Sequence, residues 1–80
     1  MIKLPDLIDL FGHTQISVID INTDTVIIND VPAGNIDLNT IQGYQVLSIY
    51  PLVKINKNGL RYVVSVITAE RIEDASTATN

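Results

Sequence analysis

An Asn-Gly pair between two β-forming segments is the feature of this sequence that most restricts its fold. Residues 45–55 and 60–68 are rich in β-branched side chains, and Asn58 and Gly59 lie between them. Asn-Gly is the strongest short signal for a β-hairpin, because both residues tolerate the positive φ that tight turns need. This part of the chain therefore predicts a hairpin.

The pairing of this hairpin decides which side chains share a face. The hairpin can pair Leu60 with Lys57 or with Ile55. These two registers differ by two residues, so both place the same side chains on each face of the hairpin. Either register places Leu47, Ile49, Val53 and Ile55 on one face with Tyr62, Val64 and Val66, and places Tyr50, Leu52 and Lys54 on the other with Arg61, Val63 and Ile67. Pro51 cannot donate a ladder hydrogen bond, so we expect its strand to lie at a sheet edge or to be bulged.

The N-terminal residues predict a short amphipathic helix over 5–11. Apolar side chains recur there at helical spacing, at Leu4, Leu7, Ile8 and Phe11. Pro5 suits a first helical position, and Gly12 follows as a stop signal.

The middle of the chain predicts a second hairpin and a structured connection. Residues 15–21 and 25–29 are apolar runs joined by the turn-forming residues 22–24. Residues 30–43 contain isolated Pro and Gly, which indicates a connection, and we expect one helical turn near Asp37. The small polar residues 73–80 predict a disordered tail.

The abundance of aliphatic residues favours a sheet with two apolar faces. The chain has 13 Ile, 8 Val and 7 Leu among 80 residues, and β-branched residues favour strands. We predict one α+β domain over 1–72, with the short helix packed on a mostly antiparallel sheet of about four strands, formed by two β-hairpins. One helix can cover one face, so we expect a homo-oligomer, a dimer or larger, to close the other. The alternatives are cover by residues 30–43, a small barrel, or a sheet strongly coiled around its own core.

The residues needed for catalysis or metal binding are scarce. The chain lacks cysteine, and His13 is its single histidine, so neither a zinc set nor a Ser-His-Asp relay is indicated. Asp20, Asn22 and Asp24 resemble the start of an EF-hand loop, but the required glycine and the closing glutamate are missing. We therefore predict no enzymatic activity, no catalytic residue, no cofactor and no metal.

Charge is distributed unevenly along the chain. The net charge is −4, and residues 1–40 sum to −5. They contain four candidate residues for an acidic contact surface: Asp20, Asp24, Asp30 and Asp37. The second hairpin tip contains the candidate cationic residues Lys54, Lys57 and Arg61, with Tyr50 and Tyr62 nearby. A solvated tip that protects a sheet edge from aggregation explains the same cations.

The same composition restricts the surroundings in which the protein acts. The acidic total disfavours direct nucleic-acid binding. No apolar run approaches the about 18 residues that span a bilayer, and the first residues lack the pattern of a signal peptide. We therefore expect no membrane contact and a cytoplasmic location, that of the host cell if the protein is phage-encoded.

The order of segments resembles that of small accessory proteins encoded by phages and prophages of Gram-positive bacteria. The resemblance lies in residues 4–10, in residues 16–20 and in the Val/Ile-rich closing hairpin. That broad group includes anti-defence proteins such as anti-CRISPRs. The resemblance implies a protein that binds and inhibits a host protein such as a defence or nucleic-acid-processing factor. An oligomeric nucleotide-binding protein and a structural subunit of a phage assembly are the alternative hypotheses.

Overall fold

The computed structural model describes residues 1–72 as one short helix and four strands. In chain order the elements are α1 (Leu4–Asp9), β1 (Gln15–Asp20), β2 (Thr25–Pro32), the 3-10 turns η1 (Ala33–Asn35) and η2 (Leu38–Ile41), β3 (Tyr44–Ile55) and β4 (Arg61–Arg71). The predicted α+β class, with a short N-terminal helix and two hairpins, is confirmed. The tail predicted over 73–80 lies outside the described residues.

The four strands form an open mixed sheet in the order β2-β1-β4-β3. The two hairpins, β1–β2 and β3–β4, are antiparallel, and the central strands β1 and β4 pair in parallel. The edges are β2 and β3, so the small barrel considered above is wrong. The prediction that the Pro51 strand lies at an edge is confirmed.

The predicted register of the second hairpin is wrong by one residue. Ile55 pairs with Arg61, and Asn56 donates its amide to the Leu60 carbonyl at 2.9 Å. The loop therefore has three residues, with Gly59 at φ +79°. The Asn56 side chain favours this loop, because its Oδ1 accepts the amides of Asn58 at 2.9 Å and Leu60 at 3.0 Å.

This shift regroups the side chains of the second hairpin. One face carries Ile49, Val53 and Ile55 with Arg61, Val63 and Ile67, and the other carries Tyr50, Leu52 and Lys54 with Tyr62, Val64 and Val66. A single-residue change of register has this effect because side chains alternate between the faces of a strand.

The hydrophobic core lies between one face of the sheet and a layer made of α1, η1 and η2. Leu4 and Ile8 of α1 are fully buried, and Leu7 and Phe11 pack against the buried cluster to which they belong, as the helical spacing predicts. The sheet and the connection supply the remaining buried members: Ile16, Val18, Ala33, Ile41, Tyr44, Ile67 and Ala69. Residues 30–43 thus cover the same face as the helix, and the alternative in which they close the opposite face is wrong.

The helix is much shorter than a membrane span. It has six residues and begins with Pro5 in its first turn. Within residues 1–72 no helix is long and apolar enough to cross a bilayer. The helical turn predicted near Asp37 is present as η2, where the Asp37 carboxylate accepts the Asn39 amide at 3.0 Å.

Candidate functional site: a two-stranded arm

The end of the second hairpin extends beyond the rest of the sheet. β1 pairs with β4 only from Val64 onward, so among residues 1–72 no third strand lies beside residues 53–63. We call residues 53–63 the arm and the other described residues the body. The molecule is accordingly elongated, with dimensions of 51 × 24 × 19 Å.

The face of this hairpin on the helix side carries a strip of exposed aliphatic residues. Val53 and Val63 are cross-strand partners, and Ile49 and Ile55 lie on the same face. Their side chains are between 47% and 66% exposed, because the layer of α1, η1 and η2 covers the buried core residues and does not extend over these four. We call Ile49, Val53, Ile55 and Val63 the aliphatic strip.

The opposite face combines aromatic, apolar and cationic side chains. We call Tyr50, Leu52, Lys54 and Tyr62 the aromatic-cationic face. Tyr50 and Leu52 are each 43% exposed and pair with Val66 and Val64, which are buried in the central strand. Lys54 pairs directly with Tyr62. Four of the nine binding residues predicted from the sequence lie here: Tyr50, Lys54 and Tyr62 on this face, and Asp30 beside it.

Asp30 fixes one end of the aromatic-cationic face. Its carboxylate accepts hydrogen bonds from the Tyr62 hydroxyl at 2.6 Å and from Gln15 Nε2 at 2.7 Å, and Lys54 Nζ lies 3.7 Å away. The Asp30 amide donates to Ser17 Oγ at 2.9 Å. Asp30 adopts φ +57° at an irregular position of β2, which points its carboxylate across the start of β1.

These contacts shift the pKa values of Asp30 and Tyr62 in opposite directions. The hydrogen bond from Tyr62, followed by that from Gln15 and the charge of Lys54, lowers the pKa of Asp30 against the opposing effect of burial. The same hydrogen bond, with burial and the Asp30 charge, raises the pKa of the Tyr62 hydroxyl. The network therefore favours a carboxylate paired with a neutral phenol.

Asp20 belongs to a second polar cluster, at the other end of the sheet. It is 4% exposed, and its carboxylate accepts the Tyr44 hydroxyl and the Asn22 amide, each at 2.8 Å. Burial raises the pKa of Asp20, but the hydrogen bonds from Tyr44, Asn22 and Thr23 outweigh it and leave the pKa lowered. Burial, then the Asp20 contact, raises the pKa of Tyr44.

Arg71 completes this cluster. Its guanidinium lies 4.9 Å from the centre of the Tyr44 ring, and its amide donates to Asn22 Oδ1 at 2.8 Å. A buried carboxylate satisfied in this way supports the fold. The sequence placed Asp20 in a contact surface because it is one of the carboxylates of the acidic first half of the chain, and no local signal linked it to Tyr44, which is 24 residues away.

The other acidic candidates lie apart from one another. Asp24 occupies the turn of the first hairpin at φ +55°, and Asp37 caps η2. Asp20 is buried and Asp30 is bonded to the arm. The four carboxylates therefore do not form one acidic surface.

The three candidate cations also fail to converge. Lys54 and Arg61 lie on opposite faces of the arm, because their cross-strand partners are Tyr62 and Ile55 respectively. Lys57 lies in the exposed loop between the strands. This arrangement spreads positive charge around the tip but does not form a pocket for one phosphate group.

A small pocket lies under the helix, away from the arm. Its volume is about 120 Å³, and its lining includes Ile8, Asp9, Gly34 and Leu38. Pockets for ligands of drug size occupy about 300–1,000 Å³. This pocket is too small for a nucleotide.

Comparison with known proteins gives no relative for this chain: no family model, no curated protein and no solved structure matches it.

Proposed function

We propose that this chain is a non-catalytic binding protein that inhibits a host protein by occupying one of its functional surfaces in the host-cell cytoplasm. The observation that carries the proposal is the aromatic-cationic face, where Tyr50 and Leu52 are each 43% exposed beside Lys54 and Tyr62. Aromatic side chains are enriched in the residues that dominate binding energy at protein interfaces. An exposed group of this kind on a small protein is typical of an interaction site.

The face is preorganised for binding. Tyr62 is fixed by Asp30 at 2.6 Å, and Tyr50 and Leu52 lie on a strand hydrogen-bonded to the central strand β4. A side chain held in position before binding loses less conformational freedom on association, which raises affinity.

The charge of the arm indicates the chemistry of the partner surface. Residues 53–63 contain Lys54, Lys57 and Arg61 and no acidic residue. A complementary partner has an apolar patch bordered by carboxylates, because opposite potentials speed association and exclude wrong partners. The alternative of a nucleotide ligand has less support, since the cations point to different faces and the pocket under the helix is small.

The test is capture of a partner from a Gram-positive host lysate, with identification of the captured protein and measurement of its affinity by calorimetry. Leu52→Glu places a carboxylate in the centre of the aromatic-cationic face, so we expect at least about a tenfold loss of affinity, or 1.4 kcal/mol. Val26→Glu is the matched control. Val26 is 57% exposed on β2, at the opposite edge of the sheet.

Two results would contradict the proposal. One is a lysate from which the wild-type chain captures nothing specific. The other is an equal loss of affinity in Leu52→Glu and Val26→Glu, which would mean that the face is not the contact. Thermal unfolding of both variants shows whether each is folded.

The prediction of a homo-oligomer is part of the same proposal. It is supported by the aliphatic strip, which lies on the face opposite the proposed host contact and so leaves that contact free.

A further inference from the structure

The aliphatic strip has the composition of an interface between copies of one chain. Ile49, Val53, Ile55 and Val63 contribute no polar atom from their side chains, and homodimer interfaces are the more apolar class. These four side chains are about half exposed and form one apolar patch. The largest apolar patch on a typical monomer covers about 300–600 Å² and is often functional. Nothing among residues 1–72 covers these four side chains.

Extension of the sheet at β3 is an unfavourable way to cover this hairpin. Asn56 points its amide toward β4, and the pairing from Ser48 to Ile55 is regular, so odd-numbered amides face the open edge. At that edge Pro51 has no N–H to donate, which blocks continuous strand pairing. Further along β3, Ile2 already accepts the Val46 amide at 2.8 Å. A second copy therefore fits the face of the hairpin better than its edge.

The charges specify the relative direction of two copies. The arm carries three cations and no acid, whereas the body carries seven carboxylates with Lys3 and Arg71, a net charge of −5. Two arms side by side in the same direction would bring six cations together. Two antiparallel arms place each positive tip over the partner's negative body.

We propose that two copies of this chain form a two-fold dimer, in which the aliphatic strips pack face to face and the arms run antiparallel. A stable interface buries about 800 Å² on each partner, which is more than the strip alone provides. The antiparallel arrangement supplies the rest as contact between each arm and the partner's body. This inference rests on the homo-oligomer of the proposed function and not on its contact with a host protein.

The first test is light scattering of the full chain across a dilution series at low and at high salt. We expect a wild-type dimer that dissociates at higher concentration when salt screens the attraction between tip and body. Val53→Glu buries a carboxylate against its symmetry mate and should raise the dimer dissociation constant at least about tenfold. Val26 is a valine of similar exposure outside the strip, so Val26→Glu should leave the dissociation constant unchanged.

The second test does not depend on the stability of the dimer. The chain has no cysteine, so Val53→Cys introduces a single thiol in the strip and Leu52→Cys introduces one on the opposite face. A short bis-maleimide should cross-link Val53→Cys into a covalent dimer with much higher yield than Leu52→Cys.

Three results would overturn the dimer. These are a wild-type monomer at every concentration, equal cross-linking at the two cysteine positions, and a mass that grows without limit, which indicates an open-ended assembly. Failure of the dimer tests would not contradict the proposed contact with a host protein, because that contact is tested separately by capture of the partner and by Leu52→Glu. Failure to capture a host protein would likewise not contradict the dimer.

Discussion

The Tyr62 hydroxyl of β4 donates a 2.6 Å hydrogen bond to the Asp30 carboxylate of β2, although these two strands are not neighbours in the sheet. β1 lies between β2 and β4 in the sheet, and its first residue, Gln15, binds the same carboxylate. The Asp30 side chain thus joins β2 to β1 and to β4 by hydrogen bonds at the base of the arm.

Asp30→Asn should lower the free energy of unfolding by about 1 kcal/mol, the net value of a hydrogen bond. The variant keeps the size of the side chain but loses the charge that Tyr62 and Lys54 contact. The measurement is urea unfolding. Asp24→Asn is the matched control, since Asp24 has a similar positive φ in an exposed turn. A loss of stability that is equal in the two variants would show that backbone conformation, and not the network, sets the effect.

Stability should fall with acid below pH 4. The folded pKa values of Asp20 and Asp30 are below the ordinary value of 3.8. A lowered carboxylate pKa stabilises the fold above the unfolded value, and this contribution is lost as the pH falls through the folded value. Unfolding measured between neutral and strongly acidic pH should show a shallower decline for Asp30→Asn than for the wild type. If stability declined equally steeply with acid in Asp30→Asn and in the wild type, the contribution of the Asp30 carboxylate to stability would be contradicted.

Stability should also fall in strong base. The folded pKa values of Tyr44 and Tyr62 lie above the ordinary value of 10.0. Their contribution is complete below that value and is lost as the pH rises through the folded values. Ultraviolet titration of tyrosinate with parallel unfolding measurements tests this, with Tyr44→Phe expected to flatten the decline. An equally steep loss of stability in Tyr44→Phe and in the wild type would contradict this contribution.

Ile67 and Ile49 are cross-strand partners with opposite environments. Ile67 is fully buried, and Ile49 is 47% exposed. Ile67→Ala should cost about 2–5 kcal/mol, through lost apolar burial and the cavity that remains. Ile49→Ala should cost about 1 kcal/mol or less. Urea unfolding of both variants measures the difference, and similar costs would argue against the observed position of the helix layer over Ile67.

Local sequence signals were sufficient for the elements and insufficient for their pairing. The helix spacing at Leu4 and Ile8 and both hairpins were predicted, because turn residues and apolar periodicity act over a few positions. The register of the second hairpin was missed because the Asn56 side chain favours a three-residue loop.

The composition of the candidate site depended on contacts that are distant in the sequence. Tyr62, Lys54 and Asp30 were each predicted as binding residues, but their contact with one another was not predicted, because it depends on the parallel pairing of β1 with β4. Gln15, which binds the same carboxylate, was not predicted at all. The aliphatic strip could not be assigned without the correct register, because Val63 moves to the other face when the pairing shifts by one residue.

The parallel pairing of β1 with β4 also has a consequence during synthesis. Val18 and Ile67 are adjacent in the sheet but 49 positions apart in the chain, and chains are made at about 5–20 residues per second. The first hairpin can close within microseconds, yet the inner edge of β1 has no partner until β4 leaves the ribosome seconds later. During that interval an unpaired apolar strand is open to other nascent chains, so the yield of native protein should depend on translation rate and on chaperones that bind extended segments.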